Sequence, residues 1–184
     1  MSFPLLKYFI ILILLISTQP VLSKELSTEA NKLTPVIVLD FEIVGDTSVE
    51  HLKQNDSILM KKFSKVFREQ LKQQTVFDVI DDKESMALIE QKGQQQFLHR
   101  CNGCEFDLGK QLGAKQIIVP WIFRMSILIQ TLVIEIRDVE TGRLILKSPY
   151  NFRGNTDKAW EKTILYAIND LKKAVRKDAQ AAEL

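Results

Sequence analysis

The stretch VIVLDF, residues 36–41, consists of β-branched and aliphatic side chains as far as Asp40. A strand with one solvated face alternates apolar and polar residues, whereas a continuous apolar run is typical of a strand buried on both faces. We therefore expect this stretch to lie in the interior of a sheet. A polar loop over residues 45–55 follows it, and Asp56 or Ser57 is a suitable N-cap for the next helix.

Apolar residues at helical spacing predict four helices. The first carries on one face Leu59, Phe63, Val66, Phe67 and Leu71. Two short helices are predicted over residues 83–91 and 106–113, and Gly113 suits the left-handed cap that ends the second. The last helix is capped by Asn155, Thr156 or Asp157 and carries on one stripe Trp160, Ile164, Ala167, Ile168, Leu171 and Val175.

Four further apolar stretches bring the predicted strands to five, and they cover residues 76–81, 116–125, 128–139 and 143–152. The last two are joined by a tight turn. Pro120 lacks an N–H group, so its strand is expected to lie at a sheet edge or to be bulged there. The order predicts an α/β domain with a mixed five-stranded sheet, helices packed on it and a carboxyl-terminal antiparallel meander.

Residues 1–23 predict a secretory signal peptide. Lys7 precedes an unbroken apolar run over residues 8–16, and Val21 and Ser23 occupy the −3 and −1 positions of a cleavage site. The apolar run is too short to span a bilayer unaided. We therefore expect a periplasmic protein that meets the membrane only through this peptide before cleavage. An uncleaved amphipathic or membrane anchor is the alternative.

The rest of the chain predicts a flexible lead over residues 24–34, a single α/β domain over 35–178 and a disordered tail over 179–184. The formal net charge is +2 at pH 7. Proteins that bind nucleic acid usually carry a larger basic excess, so nucleic acid is not an expected partner.

Four stretches of the domain, PVIVLDFEI, LGAKQIIVPWI, IRDVETGRLI and RGNTDKAW, together resemble a family of secreted bacterial proteins of unknown function. The recurrent marks of that family are Cys-x-x-Cys-Glu, here Cys101, Cys104 and Glu105, and Arg-Gly-Asn-Thr-Asp-x-x-Trp, here residues 153–160. The opening strand and the Leu-Gly-Ala turn are also distantly similar to the amino-terminal domain of TolB and to the periplasmic domains of CsgG-type and penicillin-binding-protein-activating lipoproteins. The resemblance implies an assembly or partner-docking module without catalysis. A lipobox cysteine is missing, so the anchoring of those lipoproteins is not implied.

The chain has two cysteines, Cys101 and Cys104. Neighbouring thiols usually join in an oxidising compartment, so we expect a disulfide that fixes the entry to the 106–113 helix. The alternative is thiol-disulfide chemistry, because a helix amino terminus after Cys104 and the nearby His99 and Arg100 could stabilise a thiolate. The pair follows no strand and no Trp precedes it, unlike the thioredoxin pattern.

A metal site is a further alternative at this loop. Three ligands could come from His99, Cys101 and Cys104, with Glu105 or Asp107 as a fourth, but closed zinc sites normally combine two separated segments. A c-type haem would require a His where Glu105 stands. We expect neither a metal nor another cofactor.

Asp40 and Glu42 lie where the first strand ends, and ligands of open α/β sheets bind beyond such ends. Two carboxylates two residues apart in a strand share one side, as acid and base chemistry would need. The structural alternative is that Asp40 caps a helix or loop amide.

A second polar segment, RGNTD at residues 153–157, joins the last strand to the last helix. We expect Arg153, Asn155, Asp157 and Trp160 to be candidates for binding a partner, because Arg and Trp are frequent interface anchors. The structural alternative is a capping turn with Trp160 in the core.

The sequence contains no Ser-His-Asp grouping, no Gly-rich phosphate loop and no pair of His residues at helical spacing, so we do not expect an enzyme. The leading hypothesis is an exported periplasmic, non-catalytic accessory domain. It would dock another exported or envelope protein through a sheet edge or the RGNTD turn. The alternative is a thiol-disulfide accessory protein that uses Cys101 and Cys104.

Overall fold

The computed structural model describes residues 33–182, with side-chain environments for residues 33–177. The predicted signal peptide, 1–23, and the predicted lead apart from its last two residues lie outside the described residues. Within them, Leu33 onward forms one compact unit. None of the helices in this part of the chain combines the length and apolarity that crossing a bilayer requires.

Six strands and four α-helices make up the described chain, together with two short 3₁₀ turns. In order they are β1 (Pro35–Val38), β2 (Glu42–Gly45), α1 (Lys53–Gln73), β3 (Asp78–Val79), α2 (Lys83–Gln95), α3 (Cys104–Gln111), β4 (Gln116–Arg124), β5 (Ile129–Asp138), β6 (Leu144–Arg153) and α4 (Asp157–Ala182), with the 3₁₀ turns at Glu50–Leu52 and Leu98–Arg100. The helix α4 runs four residues into the segment 179–184 for which a disordered tail is predicted.

The sheet order is β3-β1-β4-β5-β6, and β2 pairs with β4 on the same side as β1. The first three pairings, β1 with β3 and both β1 and β2 with β4, are parallel. The pairings of β5 with β4 and with β6 are antiparallel. The predicted class, a mixed α/β sheet with a carboxyl-terminal meander, is therefore confirmed, but the strands number six rather than five.

Helices cover the sheet on both faces. One core packs α1 and α4 against the sheet around Phe63, Phe67 and Trp160. The other core packs α2, α3 and the segment that joins them against Ile37, Leu39 and neighbouring residues of β4. The VIVL run is buried on both faces because it lies between these two cores, as its composition predicts.

Pro120 lies in β4, a central strand, so the expectation of an edge position is wrong. Val38 pairs with Ile118 and Glu42 with Trp121, which places three residues of the β1–β2 segment opposite two residues of β4. This extra residue is a β-bulge. The carbonyls of Ile118 and Arg124 accept hydrogen bonds from the N–H groups of Leu39 and Asp46. Every second residue of a strand directs its backbone groups to the same side, so the nitrogen of Pro120 also faces the β1–β2 segment, at the bulge. The irregularity therefore lies in the neighbouring strand.

The first helix also begins earlier than expected. Asp56 and Ser57 are predicted as N-caps, but α1 starts at Lys53, directly after a 3₁₀ turn, and its cap residue makes no side-chain hydrogen bond. That expectation is wrong because the Asp56 carboxylate binds a distant arginine, as described below.

The contact between α3 and the sheet generates a stability prediction. A Cβ atom at Gly109 would lie 2.9 Å from Cγ2 of Val139 and 3.1 Å from Cδ1 of Ile117. Gly109→Ala should therefore destabilise the fold by about 1 kcal/mol, because overpacking outweighs the gain in helix propensity. Gly93→Ala in α2, where the nearest atom is 3.9 Å away, should instead stabilise by about 0.5–1 kcal/mol. Urea unfolding of both variants measures the difference, and an equal stabilisation by both would contradict the packing of α3.

Candidate functional site

The cysteine loop joins the 3₁₀ turn Leu98–Arg100 to α3. Cys101 and Cys104 form a disulfide with their Cα atoms 5.6 Å apart. The two residues between them adopt left-handed backbone conformations, with φ of 54° at Asn102 and 111° at Gly103. Asn and Gly are the residues that tolerate this region best, so the sequence between the cysteines suits a reversal of this tightness.

Glu105 anchors the loop to the sheet. Its side chain is 2% exposed and accepts a hydrogen bond from the backbone N–H of Gly103 at 3.1 Å. Arg137 of β5 donates to its other oxygen at 2.6 Å. One carboxylate oxygen lies 3.2 Å from Sγ of Cys101, but a disulfide sulfur carries no hydrogen, so this is a contact and not a hydrogen bond. The segment over residues 101–105 is therefore one structural unit.

The ionic contacts continue across the same face of the sheet. Arg137 also donates from Nε to Glu135 at 3.0 Å, and Lys147 of β6 lies 2.9 Å from the other oxygen of Glu135. Burial raises the pKa of Glu135, but the hydrogen bonds from Lys147 and Arg137 outweigh it and hold the pKa below its ordinary value. Glu105, Arg137, Glu135 and Lys147 thus alternate in sign, and each of the two carboxylates has a cationic partner.

The predicted metal ligands are occupied by other partners. Among the described residues, Cys101, Cys104 and Glu105 are the cluster whose atoms are close enough to share an ion. A metal binds thiolates, and these sulfurs are joined in a disulfide. The ring of His99 instead bonds Glu42 through Nδ1 and stacks on Trp121 with ring centroids 5.9 Å apart. This arrangement does not fit a zinc site in the oxidised protein.

Asp40 and Glu42 bind different parts of the chain, so the expectation that they share one side is wrong, although both line one cavity. Because the bulge intervenes, Asp40 binds Arg68 of α1 at 2.5 Å, whereas Glu42 accepts from the N–H of Leu98 at 2.7 Å on the opposite side. Glu42 therefore caps the 3₁₀ turn that leads to the cysteines. Asp40 lines a cavity of about 720 Å³ between α1 and α2, at the strand end where a ligand site is expected.

The RGNTD segment is divided between the interior and the surface. Trp160 is 1% exposed and donates from Nε1 to the side-chain oxygen of Asn155 at 3.1 Å. Arg153 and Asp157 are exposed, and Asp157 forms an ion pair with Lys62. Two of the four candidate binding residues thus point inward and two outward, and their role in binding a partner stays a prediction.

The interior half of this segment belongs to a buried network. Arg124 at the end of β4 is 1% exposed and donates twice to Asp56 of α1, at 2.7 and 2.6 Å. Asn155 donates to the same carboxylate at 2.9 Å. Gln130 of β5 donates to the carbonyl of Gly154 at 3.0 Å. Sequence reasoning missed Arg124 and Gln130, although polar residues at inward-facing strand positions are a usable signal of a buried pair.

The β4–β5 hairpin ends in an exposed apolar surface. It comprises Phe123, Met125, Ile127, Leu128 and Ile129, which we call the hairpin tip. Met125 and Leu128 are 64% and 67% exposed. The RGNTD turn lies beside the tip, because Ile129 pairs with Arg153 and the N–H of Gly154 donates to the carbonyl of Leu128 at 3.2 Å.

These features define a class of protein, an α/β domain in which β1 to β4 pair in parallel and β4, β5 and β6 form an antiparallel meander. Its buried ionic groups form pairs. The chain belongs to the family described as Protein of unknown function (DUF2380), which it matches over residues 34–171. This confirms the resemblance to a family of unknown function, whereas its two recurrent motifs and the similarity to TolB and CsgG-type domains stay predictions. No curated protein matches the chain.

Several solved structures are similar in shape to this chain. The hypothetical protein CT253 from Chlamydia trachomatis has 12% identity and a TM-score of 0.52, with 78% of this chain and 98% of that chain covered. The LpoB C-terminal domain from Salmonella enterica has 15% identity and a TM-score of 0.46, covering 64% and 81%. Lipoprotein GNA1162 from Neisseria meningitidis has 9% identity and a TM-score of 0.41, covering 75% and 95%. At such identities the likeness to CT253 shows the fold alone.

The buried network predicts a large effect of one substitution. Asp56→Ala should destabilise the fold by about 3–5 kcal/mol, because it leaves the Arg124 guanidinium buried without its counter-ion. Asp157→Ala, which breaks the exposed pair with Lys62, should cost less than about 1 kcal/mol. Thermal and urea unfolding provide the measurement. If Asp56→Leu combined with Arg124→Met were no more stable than either single variant, the pair would not be the cause.

The disulfide predicts a smaller effect. Replacing Cys101 and Cys104 together with Ser should lower the free energy of unfolding by about 2 kcal/mol, the loop-closure value for a four-residue ring. Reduction of the native protein should lower it equally, as urea unfolding with and without reductant would measure. An unchanged stability would show that the bonds of Glu105 hold the loop by themselves.

Proposed function

We propose that this protein is an exported, periplasmic accessory domain that performs no catalysis and docks another envelope protein through the hairpin tip. The observation that carries the proposal is the exposure of five large apolar side chains within seven consecutive positions, 123–129. A contiguous exposed apolar surface is typical of an interaction site. The outward members of the RGNTD segment would form part of its polar rim.

The geometry of the tip supports a docking role. Arg124 is held in the core, so the alternation of the strand directs Phe123 and Met125 to the outside. The exposed Arg153 lies beside Ile129 and offers a cation that can hydrogen-bond at the edge of an apolar contact. The combination of an apolar centre with an Arg at the rim resembles interfaces between proteins more than a site for a small molecule.

The state of the buried ionisable groups supports the non-catalytic part of the proposal. Catalytic acids and bases need an unoccupied position next to a reacting atom. Arg124, Asp56, Glu105 and Glu135 are each bound by oppositely charged side chains at 2.6 to 3.0 Å. Ionisable groups that bind one another in this way usually have a structural role.

Two features of the chain support export. The charged, apolar and small-residue regions of residues 1–23 have the order of a signal peptide. A disulfide between Cys101 and Cys104 persists in oxidising compartments and is rare in the cytosol.

The proposal is tested in the producing bacterium with the full, tagged chain. The double variant Met125→Ser/Leu128→Ser should reduce the amount of a co-purified envelope protein by about tenfold or more, because it removes apolar area from the interface. The matched control, Leu144→Ser/Ile145→Ser, removes exposed apolar residues at the opposite end of β6 and should leave co-purification unchanged.

Both variants must retain the wild-type melting temperature, and the protein must appear in the osmotic-shock fraction without residues 1–23. The proposal is wrong if the tip variant retains the same partners as wild type, or if the chain stays in the cytoplasm with its amino terminus intact.

Thiol-disulfide chemistry is the second candidate function. It is favoured by the position of Cys104 as the first residue of α3, since a helix amino terminus stabilises a thiolate. The Glu105 carboxylate beside Cys101 opposes it, because a neighbouring negative charge disfavours a thiolate. The Cys-to-Ser double variant separates the two functions, since partner binding through the tip would survive it and redox activity would not.

A further inference from the structure

The edge of β2 that faces away from β4 is unpaired in the described part of the chain. Along β4 every second residue bonds toward β1 and β2, and the set includes Ile118, Ile122 and Arg124. Ile43 lies directly opposite Ile122 in the parallel register. In a parallel ladder only one residue of such an opposed pair bonds across to the other strand, and here it is Ile122. The N–H and C=O of Ile43 therefore point away from β4. Among the described strands none borders β2 there, because β3 ends at Val79.

This edge lies at the cavity of about 720 Å³ between α1 and α2, whose lining includes Ile43. The cavity extends along α1 from Ser57 to Glu69, which is about 18 Å at the helical rise. About five residues of extended chain fit that length. Met60 and Met86 face the space from the two helices, and methionine adapts to varied apolar side chains.

The two walls of this cavity carry opposite unpaired charges. Lys61 on α1 and Glu90 on α2 both line it and are exposed. Neither forms an ion pair with another described residue, whereas Arg68 is bound to Asp40 and Asp81 to Lys72. Side chains of a strand point alternately to the two faces of its sheet, so a strand added here would present alternate residues to the two walls.

We propose that the cavity binds an extended peptide segment of a partner protein as an added strand beside β2, with acidic side chains toward α1 and basic side chains toward α2. The free N–H and C=O of Ile43 would hydrogen-bond the backbone of the segment, and the two walls would select its alternating charges. This site is separate from the hairpin tip and does not depend on the function proposed for the tip.

Two synthetic peptides test the two walls separately. They are acetyl-Val-Glu-Val-Glu-Val-amide and acetyl-Val-Lys-Val-Lys-Val-amide, titrated into the full mature chain by calorimetry and by amide NMR. Each should bind and slow the hydrogen exchange of the Ile43 amide. Versions methylated on the three central backbone nitrogens should bind about tenfold more weakly, because they cannot form the strand hydrogen bonds.

Two charge reversals at exposed positions provide the specificity test. Lys61→Glu should lower the affinity for the Glu peptide by about fivefold and leave the affinity for the Lys peptide unchanged. Glu90→Lys should lower the affinity for the Lys peptide by about fivefold and leave that for the Glu peptide unchanged. Lys177→Glu, outside the cavity, changes the net charge as Lys61→Glu does and is the matched control for that variant; it should leave the affinity for both peptides unchanged.

The proposal is overturned if N-methylation has no effect, if either reversal acts equally on both peptides, or if neither peptide binds. Slow exchange of the Ile43 amide in the free protein would also overturn it, because the edge would then be filled by this chain or by a second copy.

Discussion

The buried pair between Arg124 and Asp56 is the constraint on which the distal end of the domain depends. A guanidinium and a carboxylate in the interior lose their hydration, and that loss is offset only when the geometry is good and the remaining groups are hydrogen-bonded. Here the pair is bidentate and Asn155 donates to the same carboxylate, while Nε of Arg124 has no hydrogen-bond partner among the described residues. One contact therefore joins α1, the end of β4 and the turn that enters α4. Because Arg124 points inward, the adjacent Phe123 and Met125 point outward, so the burial of one charge directs two of the five tip side chains to the surface.

The bulge opposite Pro120 is a second constraint with effects in two places. A proline in a central strand lacks the N–H group that a regular ladder requires. An irregular neighbouring strand avoids presenting a carbonyl that would need this N–H as its donor. The extra residue directs Asp40 to α1 and Glu42 to the 3₁₀ turn Leu98–Arg100, which separates the two carboxylates that their spacing would place together. By shifting the register by one residue, it also makes Ile43, and not its neighbours, the residue that faces the free edge of β2. The same irregularity thus separates the two carboxylates and sets which backbone groups are unpaired at this edge.

Local periodicity explains which parts of the structure were predictable. The helices α1 and α4, the meander and the left-handed Gly113 follow from patterns within a few residues of one another. The bulge depends on a register difference between segments some 80 residues apart, and the Arg124 to Asp56 pair joins positions 68 residues apart in sequence. No local pattern contains such information. The predicted start of α1 is wrong for the same reason, since Asp is a residue type suited to an N-cap but the Asp56 carboxylate binds the distant Arg124.

The cysteine loop shows how a motif that suggests chemistry is held as structure. A reactive thiolate needs a positive environment and freedom from competing contacts. The amino terminus of α3 supplies the first, but the Glu105 carboxylate stands beside Cys101 and is fixed there by Arg137, whose other bonds run to Glu135 and from there to Lys147. The Glu105 carboxylate cannot move away without breaking its hydrogen bonds from Arg137 and from the Gly103 N–H. Glu105 of this segment therefore connects the loop to the sheet through its hydrogen bonds from Gly103 and Arg137. The disulfide holds the two ends of the loop close together.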